Sequence, residues 1–532
     1  MTLRLPRRMS GTHVRSSAGL DVGSLGRQAA TAMLARTVVM RVITAMGTVV
    51  LARILVPADF GVYAVLVLVQ QVLTYFADFG VGPSLIQQGD DPTREELATA
   101  WLIQQLMWIV CAVAIWVAAP FVERLIPSLG AGFGWQLRLL SLSIAFTMLR
   151  SLPSAMLVRV LRFREVATIE LSGHIAFWAT AVSLALMGAG VWSFAFALTA
   201  QSAISAALAN LICRYWPGLY FDRAIARRLL GFGVAYQASN VVTTLRDGVI
   251  PLCGGFAGSV ASIGYLQFSL RVSQLTSSVD EIIARVSFPA FSRIKGDAKR
   301  TARVLSDSVT LVCLLIGAPQ AWIIATAPNL VPVVFGDRWT PSVLALQLMC
   351  LGVLCTVPSR VAGSVVFGQG RPRAGLLVAL ASFGLLFALF PPLLLAFGLP
   401  GGGLAYAVAG FVGLSLQARA VRPVASFPWR NVIRVYFLSG LAGLASWFVA
   451  VHVAGVPGLI ISAGVFGISY LALLLAFART DLARSWRLVG AGRNPRVLGF
   501  LARFRPRGGL GLGLGVSEVA EPGEPGDDIL AP

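Results

Sequence analysis

The stretch SVASIGYLQFSLRVSQLTSSVDEIIARVSFPAF, residues 259–291, carries a regular stripe of polar side chains within an otherwise apolar segment. It is long enough to cross a bilayer, for which about 20 residues suffice. The polar residues recur at helical spacing: Gln267, Arg271, Gln274, Ser278, Glu281 and Arg285. A charge at the bilayer centre costs roughly 2.5–3.5 kcal/mol on insertion scales, so this face must turn toward other helices or a water-filled cavity. We interpret it as one wall of a substrate pathway.

The composition of the whole chain is that of an integral membrane protein. Of its 532 residues, 57% are hydrophobic and 12% are charged, whereas a soluble domain has about 25% charged residues. The net charge of +20 indicates basic residues on cytoplasmic loops, and we expect no nucleic-acid partner. The six cysteines and three histidines are too scattered for a metal site. We expect no metal, no cofactor and no enzymatic activity, since no nucleotide-binding or hydrolase motif is present.

The apolar segments predict an all-α polytopic fold with about fourteen transmembrane helices. Arginines are concentrated on alternate loops, which places both termini in the cytoplasm by the positive-inside rule. The predicted spans are residues 32–56, 60–86, 98–119, 136–158, 166–188, 191–212, 232–252, 259–290, 304–327, 341–367, 374–397, 402–420, 432–453 and 458–478.

A weak internal repeat relates the second and eighth spans. Gly61-Val62-Tyr63 matches Gly264-Tyr265, and the series Gln70, Thr74, Asp78 runs parallel to Gln274, Ser278, Glu281 at offsets of 203–204 residues. Parallel repeats of this kind are common in transporters. We therefore predict two six-helix lobes around a central cavity, at 32–215 and 216–422, with an additional helix pair at 423–478. Residues 1–31 are predicted to form a basic cytoplasmic tail, and 479–532 a tail that is first basic and amphipathic and then disordered.

Other charged residues lie within predicted spans. Arg41 lies deep in the first span, whereas Arg36 is near the cytoplasmic end, where its side chain could instead reach the headgroups. Arg246 and Asp247 are adjacent in the seventh span, so they point about 100° apart and pair poorly with each other. Arg150 in the fourth span fits a pathway position and a headgroup contact equally well.

Several buried arginines indicate an anionic cargo. The guanidinium group matches phosphate oxygens in a forked geometry and stays charged at any relevant pH. An exporter of organic cations would instead require acidic and aromatic linings. The predicted substrate-binding residues are Arg36, Arg41, Arg246, Gln267, Arg271 and Gln274. Three carboxylates are predicted to couple an ion or to act as counter-ions, and Asp247 is the candidate counter-ion of Arg41 or Arg271: Asp78, Asp247 and Glu281.

Short motifs spread over roughly residues 30–420 resemble a known family. They are LARIL (51–55), PADFGVY (57–63), ADFG (77–80), LIQ (85–87), RFR (162–164), TLRD (244–247), GY (264–265) and GRP (370–372). Taken in this order, the chain resembles a polysaccharide flippase of the multidrug/oligosaccharidyl-lipid/polysaccharide exporter superfamily, of the colanic-acid exporter type.

The resemblance implies two lobes around a cavity that opens alternately to each side, and an undecaprenyl-diphosphate-linked oligosaccharide as cargo in a bacterial inner membrane. It also implies that polysaccharide polymerase and glycosyltransferases are partners. In the related lipid II flippases, cavity arginines contact the headgroup, and the matching positions here are Arg36, Arg41 and Arg271. An arginine of those relatives is replaced near Thr74 and Tyr75, which argues against lipid II as cargo. A multidrug exporter of the same fold and a non-transporting membrane scaffold with an inactive cavity stay open as alternatives.

Overall fold

The computed structural model describes residues 39–87, 91–130, 132–160, 162–213, 218–257, 259–277, 297–369 and 371–478. These residues contain fourteen long helices and no strand. Eleven of the helices are long and apolar enough to cross a membrane. The prediction of an all-α polytopic fold is therefore confirmed, and the chain is a multi-pass membrane protein.

The helices follow one another with short connections. In chain order they are α1 (39–54), α2 (Pro57–Asp78), α3 (Val81–Gln87), α4 (Arg94–Leu125), α5 (Phe133–Arg159), α6 (Phe163–Leu186), α7 (Trp192–Cys213), α8 (Arg223–Asp247), α9 (Val249–Ala257), α10 (Val260–Gln274), α11 (Ala298–Leu330), α12 (Val343–Gly368), α13 (Pro372–Phe397), α14 (Leu399–Val421), α15 (Trp429–His452) and α16 (Gly455–Phe477).

Two predicted spans are each interrupted. The span predicted at 60–86 is wrong as one helix, because α2 ends at Asp78 and two residues in the left-handed region follow, Phe79 with φ 48° and Gly80 with φ 75°. The span predicted at 232–252 is also wrong as one helix. There α8 ends at Asp247, and α9 resumes after Gly248. Pro251 lacks an N–H and its ring crowds the carbonyl four residues earlier, which explains the break.

The eighth predicted span, 259–290, is described only over its first half. Helix α10 is followed by a short 3₁₀ turn at Leu275–Ser277. The second half, with Ser278, Glu281 and Arg285, lies outside the described residues.

Helices α2 and α10 cross so closely that only glycine fits at the contact. A Cβ on Gly264 would lie 1.8 Å from the carbonyl oxygen of Pro57, and a Cβ on Gly61 would lie 2.0 Å from that of Val260. Each of these residues is related to a residue of the other helix by the 203-residue offset of the repeat, Pro57 to Val260 and Gly61 to Gly264. The glycine crossing, formed by Gly61 and Gly264, is therefore a local two-fold contact between the repeats.

Polar and aromatic contacts join the repeats beside the glycine crossing. The indole N–H of the fully buried Trp339 donates to the carbonyl of Ala52 at 2.8 Å. The Arg53 guanidinium donates to the carbonyls of Val333 and Val334 at the end of α11. These carbonyls carry the negative end of a helix dipole, so the cation is well placed. At this end of the bundle, the two halves are closed against each other.

The second half is built around α12, which packs against α10, α11 and α14, while α13 packs against α14. Helices α15 and α16 pack against each other and against α11, on the flank of this group. Helix α8 instead packs against α2, α3 and α4. We keep the predicted lobe bounds as a working division.

Candidate functional site

A cavity of about 1130 Å³ lies where the two halves meet, and its volume is slightly above the range usual for ligand sites. We call it the central cavity. Its walls come from α1, α2, α9, α10, α12, α13 and α14. The lining runs from the middle of α2 and α10 to Phe367 and Gly375, at the ends of α12 and α13. Those helix ends lie at the other end of the bundle from the glycine crossing. The protein is therefore closed at one end, and the cavity extends toward the opposite end.

The central cavity is cationic. Among the described residues that line it, three are arginines and none is acidic: Arg41, Arg271 and Arg360. In a site walled by low-dielectric protein, such charges attract an anion strongly. Four of the predicted binding residues lie on this wall: Arg41, Gln267, Arg271 and Gln274.

Arg271 is held at the junction between the two halves. Its guanidinium carbon lies 4.7 Å from the ring centroid of Tyr63 on α2. The Tyr63 ring is itself stacked on Phe194 at 4.1 Å, with an interplanar angle of 16°. A cation over a tyrosine face gains roughly 0.5–2 kcal/mol, depending on how well it is desolvated. The guanidinium is thus positioned from the opposite half of the protein, and its N–H groups donate to none of the residues whose side chains the structure describes.

Arg41 enters the central cavity from α1, while its neighbour Thr44 turns away. The Thr44 hydroxyl lies 2.9 Å from Nε2 of His174 on α6. Two polar residues one turn apart on α1 therefore have different surroundings, the arginine at the cavity and the threonine in a helix contact.

The sequence analysis missed several polar residues of this wall. Arg360 on α12 and Gln417 on α14 both line the central cavity. The amide of Gln417 and that of Gln267 each keep one buried polar atom that has no hydrogen-bond partner among the described residues. Arg360 lies inside the predicted tenth span, so a cation within a membrane helix was visible there in the sequence. Gln417 gave no periodic signal, because it stands alone among apolar and small residues.

Asp78 lies in a hydrogen-bond network away from the central cavity. Its carboxylate accepts from Gln104 and Ser151 at 2.8 Å each and from Gln237 at 2.9 Å. These donors come from α4, α5 and α8, so the buried carboxylate ties three helices to the end of α2. Its partners are neutral, which is the arrangement expected of a structural anchor.

The remaining predicted residues have no described side chain. Arg36 and Glu281 lie outside the described residues, and Arg246 and Asp247 belong to α8 only through their backbone. Their predicted roles stay predictions.

A second, smaller cavity of about 330 Å³ lies within the first half. We call it the N-lobe pocket. Nine described residues from α2, α5 and α7 line it, and each carries a polar side chain: Gln70, Gln71, Thr74, Tyr75, Thr147, Arg150, Gln201, Ser202 and Ser205. Arg150 therefore lines a cavity within the protein, and its role on a substrate pathway stays a prediction. The stripes of the two repeats do not share one cavity, since Gln274 faces the central cavity and Gln70 and Thr74 face the N-lobe pocket.

The comparisons with known proteins agree with this architecture. Residues 50–344, more than half of the chain, match the model of a family described as polysaccharide biosynthesis protein. The chain belongs to this family. The match begins near the end of α1 and ends at the start of α12. It therefore includes the glycine crossing and Arg271, whereas Arg41 precedes it.

Two bacterial relatives show the extent of the likeness. The lipopolysaccharide biosynthesis protein WzxC of Escherichia coli is 26% identical over 336 residues, and the succinoglycan biosynthesis transport protein ExoT of Rhizobium meliloti is 27% identical over 330 residues. Each alignment covers 60% of this chain and 65% of the relative. The chain thus matches somewhat less than two thirds of the length of either relative.

Among solved structures, the lipid II flippase MurJ in an inward closed conformation superposes with a TM-score of 0.70 at 17% identity, covering 84% of this chain and 98% of MurJ. An inward-facing MATE-family multidrug resistance transporter superposes with a TM-score of 0.56 at 13% identity, covering 74% of this chain and 94% of the transporter. At these identities the likeness shows a shared fold.

Proposed function

We propose that the protein flips an undecaprenyl-diphosphate-linked oligosaccharide across a bacterial inner membrane by alternating access, in the synthesis of a surface polysaccharide. The observation that carries this proposal is the central cavity between the two halves, with three arginines and no acidic group among its described lining. Two or three guanidinium groups around one cavity suit the oxygens of a diphosphate, and the amides of Gln267 and Gln274 suit sugar hydroxyls.

Both the fold and the relatives support a transport role. ExoT is named a succinoglycan biosynthesis transport protein, and MurJ a lipid II flippase. An exporter of organic cations would need an acidic lining, which the described wall of the central cavity lacks. With both termini in the cytoplasm, as the arginine distribution favours, the glycine crossing closes the outer side and the central cavity lies toward the cytoplasm, where the cargo is made. Membrane lipids, a polymerase and glycosyltransferases are the partners that this function implies.

The test concerns Arg271. Removing a charged hydrogen bond costs about 1.5–3 kcal/mol, which corresponds to roughly tenfold to a hundredfold weaker binding of the headgroup. We expect Arg271→Ala nearly to abolish export of the surface glycan at normal protein abundance. Arg271→Lys should impair export partly, since it keeps the charge and loses the fork. Surface glycan and membrane protein level are measured together, with Arg430→Ala, an exposed arginine at the start of α15, as the matched control.

A structural role of Arg271 gives a different pattern. If Arg271 serves as counter-ion to Asp247 or Glu281, Arg271→Ala lowers protein abundance, and neutralising the acid restores it. Normal export by Arg271→Ala at normal abundance would remove Arg271 from the headgroup site and with it the central support for a diphosphate cargo.

A further inference from the structure

The N-lobe pocket has a lining unlike that of the central cavity. Its described lining contains four groups with amide or phenol chemistry, four hydroxyl residues and one arginine, and no aliphatic residue. Buried amides and hydroxyls are costly to leave without partners, so a pocket with this lining is suited to a ligand rich in hydroxyl groups.

The walls of the N-lobe pocket are held by hydrogen bonds between helices. Gln70 donates to the Ser143 hydroxyl at 2.7 Å, and that hydroxyl lies 2.9 Å from the hydroxyl of Ser202. Thr147 lies 3.2 Å from the same Ser202 hydroxyl. These contacts join α2, α5 and α7, so the polar wall exists before any ligand arrives.

Arg150 is the one cation among the described residues of this lining. It lies nine residues before the end of α5 at Arg159, about 14 Å along the helix axis, too far for its head to reach water easily at that end. Its guanidinium makes no hydrogen bond or ion pair with any residue that the structure describes. A half-buried cation without a carboxylate partner favours the entry of an anionic group.

The two cavities are adjacent through one side chain. Gln71, which is exposed, lines both the central cavity and the N-lobe pocket. A ligand whose charged headgroup lies at Arg41 and Arg271 can therefore extend past Gln71 toward Arg150.

We propose that the N-lobe pocket binds an acidic sugar of the glycan, with Arg150 pairing with its carboxylate and Gln201 and Thr74 binding its hydroxyl groups. This inference rests on the proposed function, because the sugar reaches the pocket only when the diphosphate occupies the central cavity. The N-lobe pocket is then a specificity site, and the central cavity supplies affinity for any undecaprenyl diphosphate.

The test uses purified full-length protein in detergent and three probes: undecaprenyl diphosphate, the same lipid carrying cellobiose, and the same lipid carrying cellobiouronic acid, in which the outer glucose is glucuronate. Dissociation constants are measured by thermophoresis for wild type and Arg150→Gln. We expect Arg150→Gln to weaken the acidic probe about tenfold to a hundredfold and to change the other two by less than about twofold. Arg138→Gln is the matched control, because Arg138 belongs to the same helix but stacks on Trp116 and Trp135 outside both cavities.

A second variant separates a sugar contact from a folding defect. Gln201→Leu should weaken both sugar-bearing probes and leave undecaprenyl diphosphate unchanged, whether or not Arg150→Gln yields folded protein. The inference fails if folded Arg150→Gln weakens the acidic and the neutral probe equally, if Gln201→Leu binds the sugar-bearing probes as wild type does, or if all three probes weaken together. If wild type binds none of the three lipids, the proposed function itself fails.

Discussion

The glycine crossing offers the sharpest mechanical test of the proposed cycle. Gly264→Ala adds a single methyl group at a contact where the new Cβ would lie 1.8 Å from the Pro57 carbonyl oxygen. Ordinary van der Waals contact begins at 3.4 Å, so α2 and α10 must separate by about 1.6 Å. The obstacle is backbone and not the end of a flexible side chain, which means that only a helix movement can relieve it.

The expected effect is a shift between conformations. Overpacking of this kind costs about 1–3 kcal/mol. This cost falls only on the state in which the two helices cross closely. A cost of about 2 kcal/mol therefore lowers the ratio of molecules with a closed outer side to molecules with an open outer side about 30-fold. Gly61→Ala places its Cβ 2.0 Å from the Val260 carbonyl oxygen and should act in the same direction. The double variant should fall short of the sum, since one separation relieves both clashes.

Spin labels at Val56 and Ser259, both exposed and just before α2 and α10, report the opening. Because the chain carries six free cysteines, the labels are attached to an introduced ketone amino acid. Gly264→Ala should increase the population of longer distances between the two labels, as measured by double electron–electron resonance. The matched control is Gly440→Ala on α15, where an added Cβ meets no atom within 4 Å. A distance distribution for Gly264→Ala that equals that of Gly440→Ala would refute the idea that this crossing closes one side of the protein.

Two further predictions concern the anchor and the sidedness. Asp78→Asn keeps one acceptor oxygen for Gln104 and Ser151, and rotation of the Gln237 amide lets its oxygen accept from the new NH2 group. We therefore expect export and abundance to stay near wild type. Asp78→Leu should lower abundance, since each buried donor left unpaired costs about 1–3 kcal/mol; loss of export by Asp78→Asn at normal abundance would instead support the predicted ion-coupling role. A reporter that fluoresces only in the cytoplasm should be active when fused after Pro532, and periplasmic activity of an alkaline phosphatase fusion at the same point would reverse the assignment of the outer side.

The sequence predicted most of the architecture because length and hydropathy are enough to locate membrane helices. It did not predict the breaks in the second and seventh spans, although residues that favour a helix break are present at both positions. Phe79-Gly80 and Gly248-x-x-Pro251 lie inside apolar runs, and hydropathy alone does not respond to a backbone that needs a left-handed residue or lacks an N–H. The second break is relevant to the site, since Gly248, Val249 and Pro251 all line the central cavity.

Helical periodicity correctly predicted which residues share a helix face, but it did not predict what that face contacts. The stripe of α10 places Gln267, Arg271 and Gln274 on one cavity wall, as predicted. The stripe of α2 has the same spacing, yet its members divide between the N-lobe pocket and the anchor at Asp78. Spacing fixes which residues share a helix face, whereas the neighbouring helices decide what that face meets.

The repeat also has a limit that bears on the mechanism. It is consistent with the symmetric contact of Gly61 and Gly264 that the structure shows, because backbone packing at the crossing must suit both halves. It does not predict the charges. The position 203 residues after Arg150 is Val353, and the position 203 residues before Arg360 is Leu157; both are buried apolar residues. A two-fold scaffold with an asymmetric set of arginines suits the transport we propose for one asymmetric lipid: the halves could exchange between two similar arrangements, while the headgroup and the sugars would each meet a different wall.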